Sequence, residues 1–276
     1  MAPVSIAAAD LLGFPTTPLR EFILIAGKDG VGKTSAIISL ADFVSQMWPE
    51  AQFFVLDTEN KMRCTLQSYG SVPPNIIYYK VDDMNEVTAA FDEIMTRRKP
   101  GDWLAVESMS RIWEIAQDLG YQAITGTSKV LYMEMRREKS KIVGQKPPPV
   151  TPRPDDLWSI IKGAHDGAFL NLMSQAEDLN IILSTTTSRV KEARTNRQES
   201  PDRVAFRVEF GLDLGLDGAP RLPTYVQTML LLDRTGGSVT CRVLRDNMSR
   251  LDEPAITFDV ETRKSFGMNF WERTER

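Results

Sequence analysis

Residues 22–40 read Phe22-Ile23-Leu24-Ile25-Ala26-Gly27-Lys28-Asp29-Gly30-Val31-Gly32-Lys33-Thr34-Ser35-Ala36-Ile37-Ile38-Ser39-Leu40. Five apolar residues of strand length run into G-x-x-x-x-G-K-[ST], and a helix-compatible stretch follows. In that order, a buried strand, a glycine-rich turn and a helix start aim backbone N–H groups at a phosphate chain. The pattern makes Gly27, Lys28, Asp29, Gly30, Val31, Gly32, Lys33, Thr34 and Ser35 the candidate nucleotide-binding set. Lys33 is expected to reach the β and γ phosphates and the Thr34 hydroxyl to hold Mg²⁺, so ATP and Mg²⁺ are the implied cofactors.

Outward from this segment, apolar runs of strand length recur at Phe53–Asp57, Ile76–Lys80, Trp103–Glu107 and Ile181–Thr186. Helical spacing between them, for example Val87, Ala90, Phe91 and Ile94, predicts alternating strands and helices, hence a mostly parallel sheet flanked by helices. Near the C-terminus, Tyr225–Leu232 and Val239–Leu244 flank Thr235-Gly236-Gly237-Ser238 and predict an antiparallel hairpin, with Ile256–Val260 as a last edge strand. Prolines separate an N-terminal arm, 1–18, from one α/β domain, 19–262, and leave a C-terminal tail, 263–276. Within the domain, a proline-rich stretch near 144–155 reads as an exposed loop. A helix is expected over Leu157–Leu179, weakened in its first half by Gly163 and Gly167. The preceding Lys129–Lys146 carries six basic and two acidic side chains.

Composition narrows the setting. The chain has 276 residues, enough for a full core, and 33 Lys+Arg against 37 Asp+Glu give a formal charge of −4, so binding to nucleic acid would have to be local. Two widely separated cysteines, Cys64 and Cys241, fit no metal or redox spacing and indicate a reducing compartment. The N-terminus lacks a basic signal region, and no run approaches the roughly 20 apolar residues of a membrane span. The expectation is a cytoplasmic protein with no membrane partner.

Hydrolysis of a triphosphate also needs a group to position water and positive charge for the transition state. Glu59, just past the Phe53–Asp57 strand, is the candidate general base, with Lys33 as its catalytic companion. Asp57 is a competing carboxylate, either a Mg²⁺ ligand or a turn former. Glu107 closes a second acidic strand, four apolar residues then a carboxylate, in the Walker B form; it would hold Mg²⁺ through water, one methylene longer than the usual Asp. Thr186 and Thr187 are candidate phosphate sensors, although β-branched residues also simply favour a strand. Arg189, Lys191, Arg194, Arg197 and Arg203 lie in a stretch with six basic residues up to Arg207 against three acids, a local positive field suited to DNA phosphates and equally to a solvated loop.

At this point the chain resembles the RecA/RadA recombinases, through Leu56-Asp57-Thr58-Glu59-Asn60 and Val106-Glu107-Ser108, and more closely the RecA-like ATPases encoded by bacteriophages. The latter resemblance spans roughly residues 20–250 and includes Trp158, Lys162 and His165 and the cluster Thr185-Thr186-Thr187-Ser188-Arg189-Val190-Lys191. It implies a RecA-like P-loop NTPase fold, water activation by Glu59, contact of the region after the sensing strand with single-stranded DNA, and a homo-oligomer acting in phage replication or recombination. It also implies that Arg245 and Arg250 act in trans on a neighbour's nucleotide. The sole histidine, His165, reads as a packed side chain.

Two other readings stand beside this one. Lys28, in Lys28-Asp29-Gly30-Val31-Gly32-Lys33-Thr34, occupies the signature position of partition and positioning ATPases, which form nucleotide-sandwich dimers. Asp29 in place of glycine, and Glu107-Ser108-Met109-Ser110 in place of Asp-x-Pro-Pro, depart from that pattern. A nucleotide-binding regulatory protein with little turnover is the third, kept open by Glu107.

Overall fold

The computed structural model describes residues 20–69, 72–141, 153–170, 173, 176–189, 214–217, 222–235, 238–247, 255–259 and 266. The N-terminal arm, almost all of the proline-rich stretch, residues 190–213, Arg250 and the C-terminal tail apart from Phe266 lie outside them.

The strands are β1 (Phe22–Gly27), β2 (Phe53–Asp57), β3 (Ile76–Lys80), β4 (Trp103–Glu107), β5 (Asn180–Arg189), β6 (Leu214–Asp217), β7 (Thr228–Thr235), β8 (Ser238–Asp246) and β9 (Ala255–Asp259). They form one sheet in the order β3-β2-β4-β5-β1-β7-β8-β9, with β6 paired antiparallel to the outer part of β5. From β3 to β7 every pairing is parallel, and β8 and β9 turn antiparallel. This is the expected α/β architecture, a mostly parallel sheet flanked by helices with an antiparallel C-terminal hairpin. Its decisive feature is that β5 is inserted between the strand feeding the glycine-rich loop and the strand ending in Glu107.

Parallel strands covered on both faces must be apolar on both faces, which is why β1, β2 and β4 are continuous buried runs. Alternate side chains supply the two cores. Phe22, Leu24, Leu56 and Val106 enter one, with α3 (Met84–Arg97) and α4 (Met109–Thr125); Ile23, Ile25, Val55 and Ala105 enter the other, with α1 (Lys33–Met47) and α2 (Lys61–Tyr69). Local chemistry fixes several helix ends. Asp83 accepts hydrogen bonds from Asn85 N and Glu86 N and caps α3. Ser108 caps α4, which stops at Gly126 in the left-handed conformation.

Three segments differ from expectation. Among the described side chains of the short polar helix α2, Met62 and Leu66 enter the core, too few for a readable period. The basic stretch forms α5 (Lys129–Lys141), held against α4 through the Tyr121–Tyr132 ring contact. The helix expected over Leu157–Leu179 begins earlier, as α6 (Pro154–Lys162) with Pro154 in its first turn, and at Gly163 becomes a π-helical segment, Gly163–Leu170. Pro154 is therefore a helix start rather than part of a loop.

Candidate functional site

The C-terminal edge of the parallel sheet, where ligands of such folds bind, collects the loop after β1 and the ends of β2, β4 and β5. Gly30 and Gly32 take positive φ values of 74° and 109°, a region disfavoured for residues with a Cβ. A Cβ on Gly27 would lie 2.8 Å from the Leu232 carbonyl oxygen and from Val31 Cγ1, so only glycine fits at the strand exit. Helix α1 then starts with no side-chain cap and no acid in its first turn, leaving its N–H groups for an anion. Lys33 is buried, and its ammonium donates to the carbonyl oxygens of Gly27 (2.8 Å) and Lys28 (3.0 Å). Burial lowers its pKa, while Glu107 and Asp29 oppose that shift.

Across the inserted strand, the Thr34 hydroxyl donates to Glu107 Oε1 at 3.1 Å. Glu107 is 1% exposed and its Oε2 has no hydrogen-bond partner. The neighbouring Ser184 hydroxyl is likewise unpartnered by geometry, though near enough to favour the charged carboxylate. Burial pushes the Glu107 carboxyl up, against Ser184, Lys33 and Thr34. A buried, half-satisfied carboxylate beside a hydroxyl in the first turn of α1 has the donor chemistry of a Mg²⁺ site, directly or through water. The Thr34, Glu107 and Lys33 placements thus fit a Mg²⁺–triphosphate. The Glu107–Ser108 peptide bond is cis.

Strands β2 and β4 pair in register with Asp57 opposite Glu107, which brings Thr58 and Glu59 to the same edge. Thr58 is a strut: its N–H and hydroxyl donate to Glu107 O (2.7 and 3.1 Å), and its hydroxyl accepts from Ser108 N at 3.0 Å. Glu59 is held on both sides. Its Oε1 accepts from the Ser108 hydroxyl at 3.0 Å, and its Oε2 is ion-paired with Lys61. Asp57 has another role. Its Oδ1 accepts from Glu59 N (3.1 Å), and its Oδ2 from Met62 N (2.9 Å) and the Tyr78 hydroxyl (3.1 Å). Both oxygens thus accept hydrogen bonds, from the turn into α2 and from Tyr78, which is the turn-forming role. Burial, together with the Asp57 charge, pushes the Tyr78 hydroxyl up to about 12.

On β5, Thr186 pairs with Gly27, and its hydroxyl donates to Asp29 Oδ1 at 3.4 Å. Adjacent strand residues face opposite sides, so Thr187, buried with its hydroxyl unpartnered, points to the other layer. The two candidate sensor threonines therefore lie on opposite faces of the sheet. The face away from the loop has its own link: Ser110 Oγ accepts from Thr186 N at 2.9 Å, lies 3.1 Å from Thr185 Oγ1 and donates to Asp217 O. Residues missed in sequence are Thr58, Lys61, Ser108, Ser110 and Ser184. The only local signal was for Ser108, a serine preceding a helix at the end of an acidic strand.

The remaining expected residues lie elsewhere. Lys28 is exposed, and its contribution within the chain is its carbonyl. Arg189 ends β5 at the loop edge; Lys191, Arg194, Arg197 and Arg203 follow it outside the described residues. Arg245 pairs with Met229, level with Leu24 of β1, and donates to Pro223 O at 2.7 Å, toward the sheet edge opposite the glycine-rich loop. His165 is fully buried against Trp113, with Asp166 on Nδ1 at 2.8 Å, in the helical layer rather than at the loop. Among the described residues, no helix is long and apolar enough to cross a membrane.

No family model matches the chain, and no curated protein matches it. Among solved structures it is similar to the flagellar accessory protein FlaH from Methanocaldococcus jannaschii, at 14% identity over 94% of this chain and 93% of that one, with a TM-score of 0.41.

Proposed function

We propose that this protein is a Mg²⁺-dependent ATPase of the RecA-like type, working as a homo-oligomer on single-stranded DNA. The observation that carries the reading is the convergence of Lys33 and Thr34 with two carboxylates from separate strands, the buried Glu107 and the half-buried Glu59. Lys33 and the open N–H groups of α1 bind the phosphates. Bound Mg²⁺ would supply charge neutralisation between the β and γ phosphates. Thr34 and Glu107 would hold that ion, Glu107 through water. Glu59 orients a water in line with the γ-phosphate and accepts its proton, while Thr58 and Ser108 keep the ends of β2 and β4 at fixed spacing. Thr186, hydrogen-bonded to Asp29 of the loop, links the phosphate end to β5, and β5 leads into the basic stretch proposed for DNA. Replication or recombination in a phage is the proposed setting, by the sequence resemblance alone.

Phosphate release from the full chain, measured with and without single-stranded DNA, tests this reading. The wild type should hydrolyse ATP faster with DNA, and Glu59→Gln should bind ATP but release no phosphate. Full activity in Glu59→Gln would remove the assigned base, and a rate indifferent to DNA would remove the partner.

A further inference from the structure

Lys61 stands at a junction that the roles assigned so far do not use. It is the first residue of α2, two positions beyond Glu59, and its ammonium is ion-paired with Glu59 while lying 3.4 Å from Asp29 Oδ1 at the tip of the nucleotide loop. Burial works against this ammonium, but Glu59 and Asp29 more than offset it and raise its pKa, and the charge is near enough to help lower the pKa of Lys33. The Lys61 side chain is 46% exposed, so its stem has room to swing.

The arrangement poses a conflict for Glu59. Both Glu59 oxygens already face a partner, the Ser108 hydroxyl on Oε1 and the Lys61 ammonium against Oε2, which makes no hydrogen bond besides that ion pair, so a water has to compete with an ammonium for Oε2. Withdrawal of Lys61 opens Oε2 to a water, and an anion that draws the ammonium away has to lie within reach of the Asp29 position. On the ATPase reading the γ-phosphate would be that anion, and a phosphate group carries up to about two negative charges against the single charge of a carboxylate. A flexible ammonium with three donors suits such a change of partner.

We propose that Lys61 is a cis-acting cation of the phosphate site, moving from Glu59 and Asp29 to the γ-phosphate of a bound nucleoside triphosphate. The inference rests on the ATPase reading above. One movement frees Glu59 and brings positive charge to the transferring group. A bond forms from the water oxygen to the γ-phosphorus as the bond to the β–γ bridging oxygen breaks, with its electron pair leaving on ADP. The water proton passes to Glu59.

The test compares Lys61→Met and Lys61→Arg with the wild type in the full chain. It measures affinity for ADP and for a non-hydrolysable ATP analogue, both with Mg²⁺, and phosphate release in a single turnover. Loss of one charge-assisted contact to the γ-phosphate should weaken analogue binding by Lys61→Met about tenfold or more and leave ADP binding within about twofold. Phosphate release by Lys61→Met should fall by at least about a hundredfold. Lys61→Arg should keep the preference for the triphosphate. Equal weakening of both nucleotides would assign Lys61 to the fold of the loop, and release as fast as or faster than the wild type would make it a restraint on Glu59; either overturns the proposal. A wild type that binds both nucleotides normally while Lys61→Met behaves identically overturns the proposal alone, whereas a wild type that binds neither overturns the ATPase reading with it.

Discussion

Replacing Glu107 with glutamine should stabilise the nucleotide-free protein while weakening its response to Mg²⁺ and ATP. The carboxylate is fully buried with an unpartnered Oε2, and its pKa is raised by burial. Glutamine removes the charge and presents an amide beside the unpartnered Ser184 hydroxyl. Relief of one buried unsatisfied charged oxygen contributes about 1–3 kcal/mol. At about 2 °C per kcal/mol for a chain of this size, the midpoint should rise by about 2–6 °C at neutral pH. The sign of the pH dependence follows from the raised folded-state pKa. Between the unfolded value, near 4.5, and the higher folded value the native state binds more protons, so rising pH removes stability from the wild type. The gap between variant and wild type should therefore close as the pH falls towards about 4.5 and open as it rises through the folded value. The depressed Lys33 pKa acts in the alkaline range and leaves this window alone. Thermal unfolding across pH, with and without Mg²⁺ and ATP, reads both effects. A glutamine variant that is less stable than the wild type without nucleotide, yet gains as much from Mg²⁺ and ATP, would refute the placement of Glu107.

Other substitutions follow from particular contacts. Asp57→Ala should lower unfolding stability by about 1.5–3 kcal/mol through loss of its hydrogen bonds to the α2 turn and Tyr78, while ATP binding keeps its Mg²⁺ dependence; a selective loss of that dependence would return Asp57 to the metal. Gly27→Ala drives a Cβ to 2.8 Å from the Leu232 carbonyl, and should cost about 1–3 kcal/mol in denaturant titration and impair nucleotide binding. With a maleimide reagent on the native protein, exposed Cys64 should react, whereas buried Cys241, its thiol pushed up to about 12, should react only on unfolding.

Much of this centre is legible in the chain because its parts are local. A buried parallel strand must be apolar on both faces, so β1, β2 and β4 show as uninterrupted runs, and the acids that end β2 and β4 mark the C-terminal edge of the sheet. What is hidden depends on pairings between distant segments. Strand periodicity requires one of Thr186 and Thr187 to face away from the loop, but only the pairing of Thr186 with Gly27 identifies which. Asp57 reads equally as a metal ligand and a turn former in sequence; its bond from Met62 N comes with α2, which is too short and polar to announce its period. Lys61 is an ordinary helix-start lysine in sequence. Its meaning comes from Asp29, 32 positions earlier.

The most direct measurement of the central claim is a calorimetric titration of the full chain with ATP, run with Mg²⁺ and again with Mg²⁺ chelated. A site in which Lys33 and Thr34 bind the phosphates and Glu107 holds the ion predicts one ATP per chain, bound clearly more tightly when Mg²⁺ is present. Absence of binding, or binding of equal strength in both titrations, would contradict it.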